Sequence, residues 1–152
     1  VAINIRTKGQ EGEREAAKFL NAWVNDVRKE FGLASYPKQD ELFQRNQNQS
    51  AVGGSDLASQ LPLEIEIKRQ EALSVNSWWK QCLASANRTG GIPILMFRQN
   101  NKKWRIIMLG ELPILRESDT RYLALPGCKV EIDLDTFEHW FKAFYSEQLR
   151  SN

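Results

Sequence analysis

Histidine is almost absent from this chain: His139 is the only one in 152 residues. That excludes zinc sites built on several imidazoles, and with no Cys-x-x-Cys pair, thiolate zinc sites are excluded as well. The two cysteines, Cys82 and Cys128, are too few for a disulfide framework. A reducing cytoplasm, that of a cell or of a virus's host, is the expected setting. No apolar run approaches membrane-spanning length and no secretory signal is visible, so no membrane partner is expected. Internal repeats and low-complexity tails are missing too. Neither sign of charge dominates: the formal net charge is only +2. Such a balance permits a nucleic-acid partner through a local basic face without demanding one. Any metal site must be built from oxygen ligands, which favours magnesium or manganese.

What is present suits an ordinary globular protein. The chain is long enough for a real core, and residues 1–152 read as one domain. Helical periodicity runs from about Glu11 to Phe31, with Ala16, Leu20, Trp23, Val24, Val27 and Phe31 on one face and Gly32 as the stop. Glu13 falls close to the centre of that apolar face. A carboxylate there is costly unless paired or bound to metal, although its first-turn position also suits the helix dipole. A second helix is expected over Val75 to Asn87, with Ser74 as candidate N-cap, an apolar face of Val75, Trp78, Trp79, Cys82, Leu83 and Ala86, and Gly90-Gly91 closing it. The last helix is expected near Asp135, where Asp135 and Glu138 have capping-box spacing. Its apolar side is Leu134, Phe137, Trp140, Phe141, Phe144 and Leu149.

Strands are expected at Leu42 to Arg45, at Leu63 to Lys68, along the nearly continuous apolar run Ile92 to Phe97, at Trp104 to Leu109 after a turn at Gln99 to Lys102, and at Lys129 to Leu134. The Gln/Asn-rich stretch from Gln44 to Ser50 reads as a loop that orders on a partner, and Gly53-Gly54 as a tight turn. This order predicts an α/β fold with a central mixed β-sheet flanked by α-helices.

The most telling stretch is Leu63-Glu64-Ile65-Glu66-Ile67-Lys68. Strand alternation puts Leu63, Ile65 and Ile67 on one face and Glu64, Glu66 and Lys68 on the other. A half-buried strand shows the same alternation on its wet face. With Asp56 arriving from a preceding turn, however, the set can do phosphodiester hydrolysis, which needs an activated water, an oriented phosphate and a stabilised leaving oxygen. Asp56 and Glu66 would hold Mg²⁺, with Mn²⁺ able to substitute, and the Ile67 carbonyl would complete the protein's share of the ligands. Lys68 would orient the water or neutralise charge developing on the phosphate. Glu13 could bind a second metal or hold a water from the helix side. Glu64 shares the strand face of Glu66, and the spacing to Lys68 favours Glu66 as the ligand.

Asp56 followed by Glu66-Ile67-Lys68 resembles the catalytic motif of the PD-(D/E)xK nuclease superfamily. The opening Lys8-Gly9-Gln10-Glu11-Gly12-Glu13-Arg14-Glu15, followed by Ala16-Ala17 and Leu20, is similar to the first helix of archaeal Holliday junction resolvases and their relatives, in which the acid at Glu13's position belongs to the active site. Gly90-Gly91-Ile92-Pro93-Ile94-Leu95, then Arg98 and Trp104-Arg105, is similar to the segment after the resolvase motif. Trp78-Trp79-Lys80-Gln81 matches a Trp-x-x-Gln pattern of phage and restriction-type relatives, which implies that Gln81 orients a water or contacts substrate; a solvated helix glutamine has the same pattern. Ser55 stands where many members have proline, and nothing after Leu109 has a counterpart. The resemblance implies a restriction-endonuclease-like core and a Mg²⁺-dependent endodeoxyribonuclease. It further implies branched or four-way-junction DNA as partner and a homodimer that cuts two strands symmetrically.

Candidate phosphate contacts are Arg6, Lys8, Arg14, Arg45, Arg69 and Lys80, all near the motif, with Lys68 among them. Arg98, Lys102, Lys103 and Arg105 make a second patch that is equally a solubilising turn. Two other functions compete with a resolvase. One is a nuclease of broader range, restriction-like or acting in phage recombination. The other is a catalytically silent DNA-binding module on the same fold.

Overall fold

The computed structural model describes residues 5–46, 55–116 and 119–152, with side chains described for 5–46, 55–111 and 128–152. The expected Gly53-Gly54 turn and most of the Gln/Asn-rich stretch lie outside the described residues.

Helix α1 covers Ile5–Glu30. It starts a turn and a half before the expected Glu11, and it stops one residue before Phe31, which is exposed beneath the Arg150 guanidinium rather than in the core. Gly32, at φ +69°, takes the left-handed conformation that ends the helix. Two short strands, β1 (Gln44–Arg45) and β2 (Leu57–Ala58), pair antiparallel, with Arg45 opposite Leu57. Then come β3 (Leu63–Arg69), helix α2 (Val75–Thr89), β4 (Ile92–Arg98), β5 (Arg105–Arg116), β6 (Asp119–Ile132) and helix α3 (Leu134–Arg150).

The main sheet has the order β3-β4-β5-β6, with β3 and β4 parallel and the others antiparallel. This is the expected mixed sheet, with α2 as the crossover between its parallel strands. Strand β4 is buried on both faces, as its continuous apolar run requires. Ile94 and Met96 join the core with α1 and α3, where Leu20, Trp23, Phe137 and Phe141 pack. Leu95 and Phe97 join the opposite core under α2, with Trp78, Trp79 and Cys82. The paired tryptophans are therefore core.

Two expectations need correction. Strands β5 and β6 run well past Leu109 and begin well before Lys129, because a register shift between Leu109 and Glu111 lets the pair continue beyond β4. At that bulge Gly110 lies against Val130, where a Cβ would collide with the valine side chain. Helix α3 is capped by Asp133, whose carboxylate accepts from the Thr136 N–H at 2.8 Å, not by Asp135. Ser74 occupies the N-cap position of α2 without making a side-chain cap bond.

Candidate active site

Strand β3 is an edge of the main sheet, so half of its backbone groups face away from β4. Asp56 covers that edge. Its N–H donates to the Ile65 carbonyl at 2.9 Å, and its carboxylate Oδ2 accepts from the Ile67 N–H at 2.6 Å. Since the N–H and C=O of one strand residue leave on the same side, the Ile67 carbonyl faces the same edge. Asp56 is thereby brought against Glu66, to which its carboxyl is hydrogen-bonded. Glu64, two residues away on the same face, is buried with Oε2 lacking a hydrogen-bond partner. Its Cγ lies 3.0 Å from where a Cβ on Gly91 would sit, so a side chain there would press on Glu64. The sheet edge thus sorts the two glutamates: Glu66 meets Asp56, and Glu64 does not.

The Asp56 carboxyl is pushed up to about 8, first by burial and then by the hydrogen bond and charge of Glu66; the Ile67 N–H and the Lys68 charge oppose this only in part. The Cys82 thiol, packed on the inner side of this strand, is pushed up to about 12 by burial and by the same Glu66 charge. That makes Cys82 an inert core residue. Burial and the neighbouring Glu66 together disfavour the charged form of Asp56 at the edge. Two carboxylates and a backbone carbonyl at one point are a donor set for a hard divalent cation. Among the described residues, no three His, Cys, Asp or Glu side chains converge closely enough to hold an ion. Water and substrate oxygens would therefore complete any metal's shell.

A cavity of about 930 Å³ opens beside this edge. Asp56, Ile67, Lys68, Glu13, Arg6, Arg45 and Arg69 line it, so one surface gathers seven of the residues singled out from the sequence. Gly9, Gln10, Asn46 and Gln70 also line it and were not among the candidate site residues. The one signal for this wall was the Gly9-x-x-Gly12 spacing. Gly12 is where α1 crosses β3, and a Cβ there would stand 3.1 Å from the Arg69 Cβ.

Several expected phosphate contacts have protein partners. Arg45 Nε donates to Glu13 Oε2 at 2.7 Å, Arg69 pairs with Glu11 at 3.0 Å, and Lys8 with Glu71 at 3.3 Å. Glu13 is buried as expected, but its neighbour is an arginine rather than a second carboxylate. Arg14 and Lys80 are exposed and line no part of the cavity, and neither does Gln81, which is exposed on α2. The second basic patch is largely neutralised. Arg105 pairs with Glu131, and Arg98 with Glu15, which also accepts from the Trp104 indole at 2.9 Å. Lys102 and Lys103 share a separate cavity of about 420 Å³ with Glu15, Asp133 and Asp135. Among the described residues, no helix is long and apolar enough to cross a membrane.

No curated protein and no solved structure matches the chain. A family model described as "phage putative PDDEXK endonuclease" matches residues 4–150, which include the edge of β3, the cavity and the three described helices. The acid pair on the β3 edge, the lysine two residues beyond Glu66 and a match over nearly the whole chain converge: this chain belongs to that phage PDDEXK endonuclease family.

Proposed function

We propose that the protein is a Mg²⁺-dependent DNA endonuclease that cuts branched DNA, four-way junctions above all, as a homodimer. The observation that carries the metal and the chemistry is the Asp56–Glu66 pair, two acids brought together at the β3 edge, where burial and each other disfavour their charged forms. Asp56, Glu66 and the Ile67 carbonyl would hold the cation; when bound, it supplies Lewis-acid activation of water and stabilisation of the leaving oxygen. Lys68, on the cavity wall, sets its ammonium against the scissile phosphate as charge develops there. The cavity's arginines orient the DNA backbone. Water adds to phosphorus as one P–O ester bond breaks, leaving a phosphate on one end and a hydroxyl on the other. The family's phage description favours a second, broader reading: recombination-type or restriction-like cutting of several DNA forms.

The test is cleavage of a four-way junction, a flap and a linear duplex by purified protein with Mg²⁺ or Mn²⁺. Paired symmetric nicks on the junction alone support the resolvase reading; cutting of all three supports the broader one. Cleavage by Glu66→Ala protein at the wild-type rate removes the proposed site.

A further inference from the structure

We infer that Arg45 grips the backbone phosphate beside the cut, and that Glu13 is the positioning residue that aims it rather than a ligand of the metal. This rests on the nuclease reading above. The Glu13 side chain is only 9% exposed, whereas that of Arg45 is 24% exposed and faces the cavity. The contact between them uses the guanidinium Nε. Among the described residues, the hydrogen bond of Arg45 goes to Glu13 alone, which leaves the paired Nη donors for the cavity. Those donors form the planar fork that matches two phosphate oxygens.

The backbone places the fork close to the chemistry. Arg45 stands opposite Leu57 in the β1–β2 ladder, and the N–H of Asn46 donates to the carbonyl of Asp56 at 3.0 Å. The residue carrying the grip and the residue carrying the metal-binding carboxylate are therefore neighbours on one two-stranded ribbon, and that ribbon is bonded to the β3 edge through Asp56. Glu13 reaches the same point from α1, on the far wall. Arg45 already occupies Oε2 of Glu13, leaving Oε1 alone for any other ligand, and among the described residues no third acid converges with another pair to share an ion. A buried acid joined to the inner nitrogen of an arginine leaves the outer nitrogens directed away from it, into the space where the DNA backbone would lie.

The experiment compares Glu13→Gln, Arg45→Gln, the double variant, Arg45→Lys and Glu66→Gln. Three measurements are made on each: Mn²⁺ titration of DNA-free protein, the salt dependence of metal-free DNA binding, and kcat/KM with Mg²⁺. Glu13→Gln should leave Mn²⁺ affinity within about twofold, while Glu66→Gln lowers it about 10-fold or more. Arg45→Gln should reduce the slope of log affinity against log salt by about one contact and lower kcat/KM about 10–100-fold. Arg45→Lys should keep the salt slope but not restore kcat/KM, since an ammonium lacks the fork. The double variant should be no slower than Arg45→Gln alone, because Glu13 acts through Arg45. Equal loss of Mn²⁺ binding in Glu13→Gln and Glu66→Gln would overturn the inference, as would independent, multiplying losses in the double variant. Should Arg45→Gln fail to fold, Glu13→Gln and Arg45→Lys carry the same comparison. A wild-type protein that binds DNA but cuts none with either metal defeats the nuclease reading instead; the salt slope still reads out the Arg45 grip.

Discussion

The seam between α1 and the sheet and the open edge of β3 treat carboxylates in opposite ways. Along the seam, three acids at alternate positions of α1 each receive a cation from elsewhere in the chain: Glu11 from Arg69, Glu13 from Arg45 and Glu15 from Arg98. At the edge, two acids receive each other. Asp56 is pressed against Glu66 and pushed up to about 8. The same chemical group is thus half of an ion pair in one place and half of an acid pair in the other. Stability alone gives no reason to bury a carboxyl beside another carboxylate. Binding a cation does.

The largest effect expected from this contrast is on catalysis. Asp56→Asn or Glu66→Gln should reduce DNA cleavage by about 10³-fold or more, and Lys68→Ala by about 10²–10³-fold, whereas Glu11→Gln on the seam should leave the rate near wild type. Single-turnover assays with enzyme in excess separate these outcomes. An Asp56→Asn protein that still cuts would mean that the edge is not the catalytic point.

Next in size is the cost of stranding a buried charge. Arg45→Met should destabilise the protein by about 3 kcal/mol, because Glu13 stays buried without its cation. Adding Glu13→Gln should recover much of the loss. Urea unfolding measures both, and equal stability of the single and double variants would show that the pair is no more than surface decoration.

The edge predicts the opposite response to charge removal. In the unfolded chain Asp56 titrates near its ordinary 3.8, and in the folded, metal-free protein near 8. Folding is therefore unpenalised below 3.8. It loses stability as pH rises towards 8, and the full penalty is present above that. Asp56→Asn should abolish this slope and raise the Tm of metal-free protein, with no gain at the acid end and the largest gain at pH 8, about 2 kcal/mol or more. A melting series in chelator checks the trend. Saturating Mg²⁺ should stabilise wild type and leave the variant unmoved.

The smallest effect belongs to the exposed end of the seam. Glu11, whose side chain is 51% exposed, pairs with Arg69 through solvent, so Glu11→Gln should cost about 1 kcal/mol or less. A larger loss would show that the seam's pairs work as a network.

Much of the architecture was legible because it obeys local rules. The apolar stripe of α1 and the unbroken run of β4 each encode their own burial, and the alternation in β3 set Ile65 and Ile67 against α1 while sending Glu66 to the other face. The ends of elements were less legible. Capping of α3 passed to Asp133 because the helix begins one residue earlier than the spacing suggested, and the β5–β6 pair outran its pattern because a bulge at Gly110 let the ladder continue. Among candidate site residues, Asp56, Ile67, Lys68 and Arg69 were gathered into one cavity with Arg6, Glu13 and Arg45, while Glu66 meets Asp56 without lining it. Lys80 and Gln81 were not gathered there; a four-residue motif matches a spacing but carries no information about which way a helix face turns.

By itself the sequence determined the fold class and narrowed the candidate acids to a short set, since each follows from composition or from periodicity within a few residues. Only the tertiary structure decided which glutamate Asp56 would meet and which cation Glu13 would hold. Glu64 and Glu66 are equivalent by alternation. They differ because Asp56 binds the backbone of Ile65 and Ile67 at an open sheet edge. Glu13 and Arg45 lie 32 residues apart. A buried carboxylate demands a counter-charge from whatever the fold brings near it, and no local pattern says where in the chain that charge will come from.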